Sequence, residues 1–237
     1  QLSKSQFLSS TDTSAAFKYS LEYNPSGSSN IKLSFPYLCL DTQVSLFLKY
    51  NAENYISAIA LIAGQISLDE FEIVRSNSIK LPQGRGEILK LREGNILIDF
   101  AHDHQSIQNI LSELANYHDE IILVFGCGGD RDKSKRSKMM KVAQDFASKI
   151  FFTSDNNRYE PFSSIVKDAM VGNSYTSIEI LEDRKEAINL ALQCLNKENI
   201  LVILGKGHET YMDVSGKKVP FNDKDCVLEI LDNEINK

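Results

Sequence analysis

Residues 96–125 read ILIDFAHDHQSIQNILSELANYHDEIILVF, and this stretch decides the fold. An apolar run, Ile96–Phe100, is followed by Ile107, Ile110, Leu111 and Leu114 at helical spacing, and then by a second apolar run, Ile121–Phe125. Strand, amphipathic helix, strand is the parallel crossover unit. The pattern repeats outward from there. Short apolar runs recur at Ile150–Thr153, Ile178–Leu181 and Ile200–Leu204. Between them lie helical faces made of Met139, Val142, Ala143 and Phe146, of Ile165, Val166, Ala169 and Met170, and of Ala187, Ile188, Ala191 and Leu195. Val227, Ile230 and Leu231 suit a terminal helix, and Glu87–Arg92 an edge strand leading in. Such alternation implies right-handed crossovers and an α/β fold, a Rossmann-like, mostly parallel sheet with helices on both faces.

The residues before about 80 read differently. Phe17, Tyr19, Leu21 and Tyr23 alternate with polar residues, as do Ile31, Leu33 and Phe35, and Asn24–Asn30 between them is rich in turn formers. That predicts two antiparallel strands with a long connection. The mostly apolar Val44–Ala63 is expected as a buried helix, and Ser67-Leu-Asp-Glu70 as a capping box opening a short one. The proline and glycines of Lys80–Gly86 mark a boundary, giving domains 1–82 and 83–237.

Composition narrows the class. The chain has 237 residues, 42% hydrophobic and 24% charged, which is ordinary for a globular protein with room for two modest domains. A net charge of -6 argues against a nucleic-acid partner, since phosphate backbones attract basic faces. No apolar run approaches the ~20 residues of a membrane helix, and the polar stretch after Gln1 is unlike a signal segment. Cys39, Cys127, Cys194 and Cys226 lie far apart without CxxC pairing. Reduced thiols in a cytoplasmic protein therefore fit better than disulfides or a metal site.

In open α/β sheets ligands bind beyond the carboxyl ends of the strands. Here those ends lead into Asp99–His104, Gly126-Cys-Gly-Gly-Asp-Arg-Asp-Lys133, Ser154-Asp-Asn-Asn-Arg158, Glu182-Asp-Arg184 and Gly205-Lys-Gly-His-Glu209. Five segments thus put polar, charged or Gly-rich residues on one rim. Gly126–Lys133 is neither GxGxxG nor GxxxxGK[ST], so neither a dinucleotide site nor a P-loop follows from it. Its glycines would let backbone N–H groups approach an anion. Arg131, Lys133, Lys135, Arg136 and Lys138 follow at a helix start, which the helix dipole disfavours unless anions are near. A phosphate or carboxylate ligand accounts for them better than a solvated basic turn, with Lys133 as a phosphate contact. Arg131 and Arg158 would project from adjacent strand ends opposite Glu209. Guanidinium for a carboxylate and Glu for an ammonium would suit an amino acid. Gly205–Glu209 alone could be a strand-end turn with surface charges, Asn156 and Arg158 could be plain loop residues, and His102 near Asp99 is as often structural as functional.

Together these segments resemble the Mur ligases, specifically the type that adds the third amino acid to the peptidoglycan precursor. GCGGDRDKSKR (126–136) is similar to that family's GCGGDRDKGKR, and Gly205-Lys-Gly-His-Glu209 is identical to its GKGHE. Asp99-Phe-Ala-His102 resembles its D-[YF]-A-H, Gly84-Arg85-x-Glu87 its G-R-x-E, and Tyr50–Asn54 running into Ala58-Ile-Ala60 its central-domain helix. The resemblance covers about residues 45–236 in the right order.

The resemblance implies ATP-dependent, ADP-forming amide synthesis, with Mg2+: the carboxylate of UDP-MurNAc-L-Ala-D-Glu becomes an acyl phosphate that an amino acid attacks. It implies that Arg131, Asn156, Arg158, Gly205 and Glu209 hold the incoming amino acid. Arg85, Asp99 and His102 would lie near the nucleotide or a domain hinge, and Asn51 and Asn54 near the adenine. Residues 1–82 would be the end of the family's central ATPase domain and 83–237 its amino-acid-binding domain, in a monomer. The family's D-N-P-R signature for meso-diaminopimelate stands here as Asp155-Asn-Asn-Arg158, and H-T-P-[DE] as His102-Asp-His104. The retained arginine favours diaminopimelate; with the proline replaced, lysine and ornithine stay open. The family's phosphate loop, its carbamoylated lysine and its uridine-binding domain have no counterpart in these residues. Turnover by this chain alone is therefore not expected, and no catalytic or metal-ligating residue is assigned. A non-catalytic module sensing an amino acid or muropeptide is the competing reading.

Overall fold

The computed structural model describes residues 8–9, 17–24, 28–35, 38–44, 48–62, 81–92 and 94–235. They fall into two compact units, Gln1–Leu81 and Pro82–Lys237.

In the first unit β1 (Leu8–Ser9), β2 (Phe17–Asn24), β3 (Ser28–Phe35) and β4 (Leu38–Val44) form one sheet in that order. β2, β3 and β4 pair antiparallel, and β1 runs parallel to β2. The alternation read at Phe17–Tyr23 and Ile31–Phe35 is thus a strand pair, but its connection is short, because Asn24 still pairs with Ser28. The helix expected over Val44–Ala63 is α1, Lys49–Ile62. Val44 instead ends β4, in register with Ser29. Leu38, Leu40, Thr42 and Val44 have the strand period of two, and that run was missed. The capping box expected at Ser67–Glu70 lies outside the described residues.

The second unit is a six-stranded sheet in the order β5-β6-β10-β7-β8-β9. β5 (Arg85–Lys90) is the antiparallel edge strand. β6 (Asn95–Asp99), β7 (Glu120–Cys127), β8 (Lys149–Ser154), β9 (Ile178–Leu181) and β10 (Asn199–Leu204) are parallel. Helices α2 (His104–Leu114), α3 (Arg136–Phe146), α4 (Phe162–Ala169), α5 (Arg184–Gln193) and α6 (Asp223–Ile235) link or follow them. The five crossover strands and their helices stand where the periodicity put them.

Each face buries one set of alternating residues. Ile96, Ile98, Ile122, Val124, Phe151, Leu201 and Ile203 pack under Ala187, Ile188 and Ala191 of α5 and Val227 and Ile230 of α6. On the opposite face α2 packs against α3 and α3 against α4, with Phe125, Phe152 and Phe162 in ring contact. Both faces being covered, the parallel strands read as continuous apolar runs.

Sequence reading missed two features. β10 inserts between β6 and β7, so the chain leaves neighbouring strands β7 and β10 toward opposite faces. That is a topological switch point, where a crevice opens beyond the strand ends. The other is a hairpin, β11 (Tyr211–Val214) with β12 (Lys217–Pro220), between β10 and α6.

Candidate functional site

A cleft of about 510 Å³ opens at that switch point. Its wall includes Arg131, Asn156, Arg158, Gly205 and Glu209, so the structure brings together all the residues expected to hold an amino acid. Phe100, His102, Lys135, Arg136, Asp155 and Gly126–Gly128 are also among its lining residues.

The glycines are explained first by the protein itself. A Cβ on Gly126 would lie 2.2 Å from the Thr153 carbonyl, and one on Gly129 would lie 1.9 Å from that of Asn157. They let the ends of β7 and β8, and the loops that follow, meet backbone to backbone. Gly129 N–H then donates to the Asn156 carbonyl at 2.9 Å. Gly128 leaves room for two cations, since a Cβ there would stand 3.2 Å from Arg158 Nη1 and 3.6 Å from Arg131 Cγ. Gly84 and Gly207 abut in the same way, which ties the loop before β5 to the one after β10.

The two poles of the cleft belong to one network. Arg158 Nη1 donates to the carbonyls of Gly129 (2.7 Å) and Asn156 (3.2 Å), so Nε and Nη2 have no described partner. Asn156 Nδ2 donates to Glu209 Oε2 at 2.8 Å, and Lys206 Nζ reaches the same oxygen at 2.7 Å. Lys206 is wholly buried, so this lysine of the GKGHE segment is an internal counter-ion and not a surface charge. Burial pushes Glu209 toward neutrality, but hydrogen bonds from Lys206 and Asn156 outweigh it and hold the carboxyl below its usual range. Both bonds use Oε2, which leaves Oε1 for a ligand.

The other expected residues fall differently. Lys133, expected at a phosphate, instead pairs with Glu160 (3.1 Å) and Asp168 (3.9 Å) and is not on the cleft wall. Arg136 is buried against the same two carboxylates, at 2.6 and 2.8 Å. The anions that the basic helix start requires are thus partly supplied by the protein, and Glu160 was missed because it lies on another loop. Arg131 and Lys135 line the cleft outside that pairing, and Arg136 lines it with its charge already paired. The Glu182–Arg184 strand end is also not on the wall: Asp183 caps α5 and Arg184 is buried against Asp223.

His102 and Asp99 each meet a backbone group. His102 Nδ1 lies 3.0 Å from the Phe100 carbonyl, while Asp99 Oδ1 accepts from Ala101 N–H at 2.8 Å. Arg85 stacks on the Phe100 ring, 4.5 Å from its centroid, and His208 lies 5.0 Å from the same ring. Asn51 is buried in α1 and Asn54 exposed, both in the first unit. Two departures from the family pattern have local replacements. Asp103 caps α2 by accepting from Gln105 and Ser106 N–H. Asn157, where a proline was expected, is buried and donates to Ser154 Oγ at 2.9 Å.

Residues 84–207 match the family described as Mur ligase, glutamate ligase domain. The chain is 32% identical over 215 residues to a UDP-N-acetylmuramoyl-L-alanyl-D-glutamate–2,6-diaminopimelate ligase of Bacillus cereus, covering 89% of this chain and 43% of that protein. The like-named Rickettsia typhi protein is 34% identical over 206 residues, covering 85% and 41%. A solved structure of a ligase of this name superposes with a TM-score of 0.69 at 30% identity, covering 97% of this chain and 48% of that one. A folylpolyglutamate synthase of Thermotoga maritima, at 19% identity and a TM-score of 0.60 over 80% of this chain and 44% of its own, shares the fold. The chain spans less than half the length of these relatives.

Proposed function

The chain belongs to the Mur ligase family, and from that premise we propose that residues 82–237 are the amino-acid-receiving domain of a ligase that adds meso-diaminopimelate to UDP-MurNAc-L-Ala-D-Glu in peptidoglycan synthesis. The observation that carries the reading is the network joining Arg158 to Glu209 through Asn156. It offers a fixed guanidinium and a fixed carboxylate on one cleft wall, the complement of an amino acid's carboxylate and ammonium. The Bacillus cereus and Rickettsia typhi relatives and the solved structure at 30% identity are named as diaminopimelate ligases, which fits a clamp with an arginine for the distal carboxylate.

In this reading Arg158 and Arg131 take the distal carboxylate and Glu209 Oε1 the distal ammonium. The far amine is then free to attack the donor carbonyl. Holding one end of a long, flexible substrate removes rotational freedom before the bond forms. ATP with Mg2+ supplies the activation of the donor carboxylate. Among the described residues no group of three His, Cys, Asp or Glu side chains could hold a cation. No described helix is long and apolar enough to cross a membrane. We place the reaction in the cytoplasm, with Arg85, Asp99 and His102 toward the nucleotide side, Asn51 and Asn54 toward the adenine, and residues 1–82 as the end of the central domain.

Calorimetric titration of the chain with meso-diaminopimelate, lysine and ornithine tests this. Diaminopimelate should bind tightest. Lysine binding as well as diaminopimelate, or no binding of any of the three, would refute the clamp.

A further inference from the structure

The clamp has a support that no motif of the sequence marked: the β11–β12 hairpin. Residue 158 is held by its backbone on both sides. Its N–H donates to the Asp213 carbonyl at 2.9 Å, and its own carbonyl accepts from Ser215 N–H at 2.7 Å. Arg158 thereby forms an isolated parallel bridge with Val214. The support matters because Arg158 has φ of 52°, a left-handed backbone that is strained for any residue with a Cβ. Such a conformation persists only where neighbours over-determine it.

The same strand sets the other pole. Asp213 N–H donates to Asn156 Oδ1 at 2.8 Å, and buried Lys206 also approaches that oxygen, at 3.4 Å. With Oδ1 fixed by two donors, Nδ2 is turned to Glu209. One short strand therefore governs the cationic pole through a backbone and the anionic pole through an amide.

The hairpin is itself tightly specified. Its two turn residues, Ser215 and Gly216, have φ of 52° and 75°, the pair of positive angles of a type I′ turn. Asp213 Oδ1 accepts from Gly216 N–H at 3.0 Å. A Cβ on Gly216 would lie 2.3 Å from the hydroxyl of Tyr159, the neighbour of Arg158.

We propose that the hairpin 211–220 is the specificity-positioning element of this cleft: it holds Arg158 in its left-handed backbone so that the guanidinium meets the distal carboxylate of a diamino dicarboxylic acid. A displaced hairpin lets a diamino monocarboxylic acid compete. The proposal rests on the amino-acid reading of the cleft.

The test is calorimetric titration of the full chain with meso-diaminopimelate and with lysine, alongside thermal melting. Gly216→Val puts a β-branched residue at a positive φ and against Tyr159, and Asp213→Ala only releases the turn's Gly216 N–H. Gly216→Asn combined with Tyr159→Ala is the rescue, since Asn tolerates the left-handed region and the obstruction is gone. In Gly216→Val the affinity ratio of diaminopimelate to lysine should fall about tenfold, the scale of one misplaced charge-assisted contact. Asp213→Ala should move it the same way by less, and the rescue variant should restore it. If Gly216→Val does not fold, Asp213→Ala decides. An unchanged ratio in the folded variants overturns the hairpin's role. A wild-type chain that binds no diaminopimelate overturns the amino-acid reading instead.

Discussion

Arg184 and Asp223 form a fully buried, bidentate ion pair, Nε to Oδ1 at 2.7 Å and Nη2 to Oδ2 at 2.9 Å. Arg184 also donates to the carbonyls of Ser154 (3.2 Å) and Leu204 (2.9 Å), the last residues of β8 and β10. One side chain therefore ties the first residues of α5 and α6 to the two strands from which the Asn156 and Glu209 loops leave. Arg184→Met should cost about 3–5 kcal/mol, because it strands a buried carboxylate. The double variant with Asp223→Leu should recover most of that loss. Urea unfolding of the variants checks it; equal loss in both would mean that packing, not charge, is the cause.

Acid should destabilise the second unit through Glu160. Hydrogen bonds from Arg136 outweigh burial and, with the Asp130 N–H and Lys133, hold this carboxyl well below the usual range. A carboxyl with a folded pKa below its unfolded one contributes stability that is complete above the unfolded value, about 4.3, and is lost as pH falls toward the folded one. The urea midpoint should therefore decline as pH is lowered below about 5. Glu160→Gln should show a shallower decline and a lower midpoint at neutral pH.

The thiols should differ in reactivity. Burial pushes Cys127 up to about 12, with the Asp155 charge adding to it, and Cys226 up to about 11. Cys194 is only half-buried, with Lys149 Nζ 3.5 Å from its sulfur. Alkylation at neutral pH, followed by mass spectrometry, should modify Cys194 before Cys127 or Cys226. Early labelling of Cys127 would mean that the cleft lining around it opens.

Arg158→Ala should weaken diaminopimelate binding by more than ~1.5 kcal/mol, the loss of a charge-assisted contact, and should affect lysine binding far less. Arg158→Lys should recover part of the charge but not the fork. Titration of each variant with both ligands checks this. Equal effects on the two ligands would remove Arg158 from the distal carboxylate.

Gly205→Ala should impair binding at little cost to the core. Gly205 has φ of +111°, and a Cβ there would stand 2.8 Å from Asp155 Oδ2. The strain falls where the loop after β10 meets the loop after β8, beside Lys206 and Asn156, so diaminopimelate affinity should drop while the melting temperature shifts by a few degrees at most. A larger thermal shift with intact binding would contradict this.

The sequence by itself determined the order of strands and helices in residues 83–237 and the segments that meet at the strand ends. Those features are written in local periods of two and 3.6 residues and in where the apolar runs stop. It also marked Arg131, Asn156, Arg158, Gly205 and Glu209, because their motifs sit at those ends. Only the tertiary structure decided which charges of the basic run stay available. Glu160 and Asp168, brought in from α4 and the loop before it, pair with Lys133 and with Arg136, which lines the cleft, while Arg131 and Lys135 line it outside that pairing. It likewise buried Lys206 against Glu209, inserted β10 between β6 and β7, and set the hairpin on Arg158. Each of these outcomes except the Lys206 pairing joins segments far apart in the chain, and none leaves a local periodic trace. They follow from sheet order and from the cost of burying a charge without a partner.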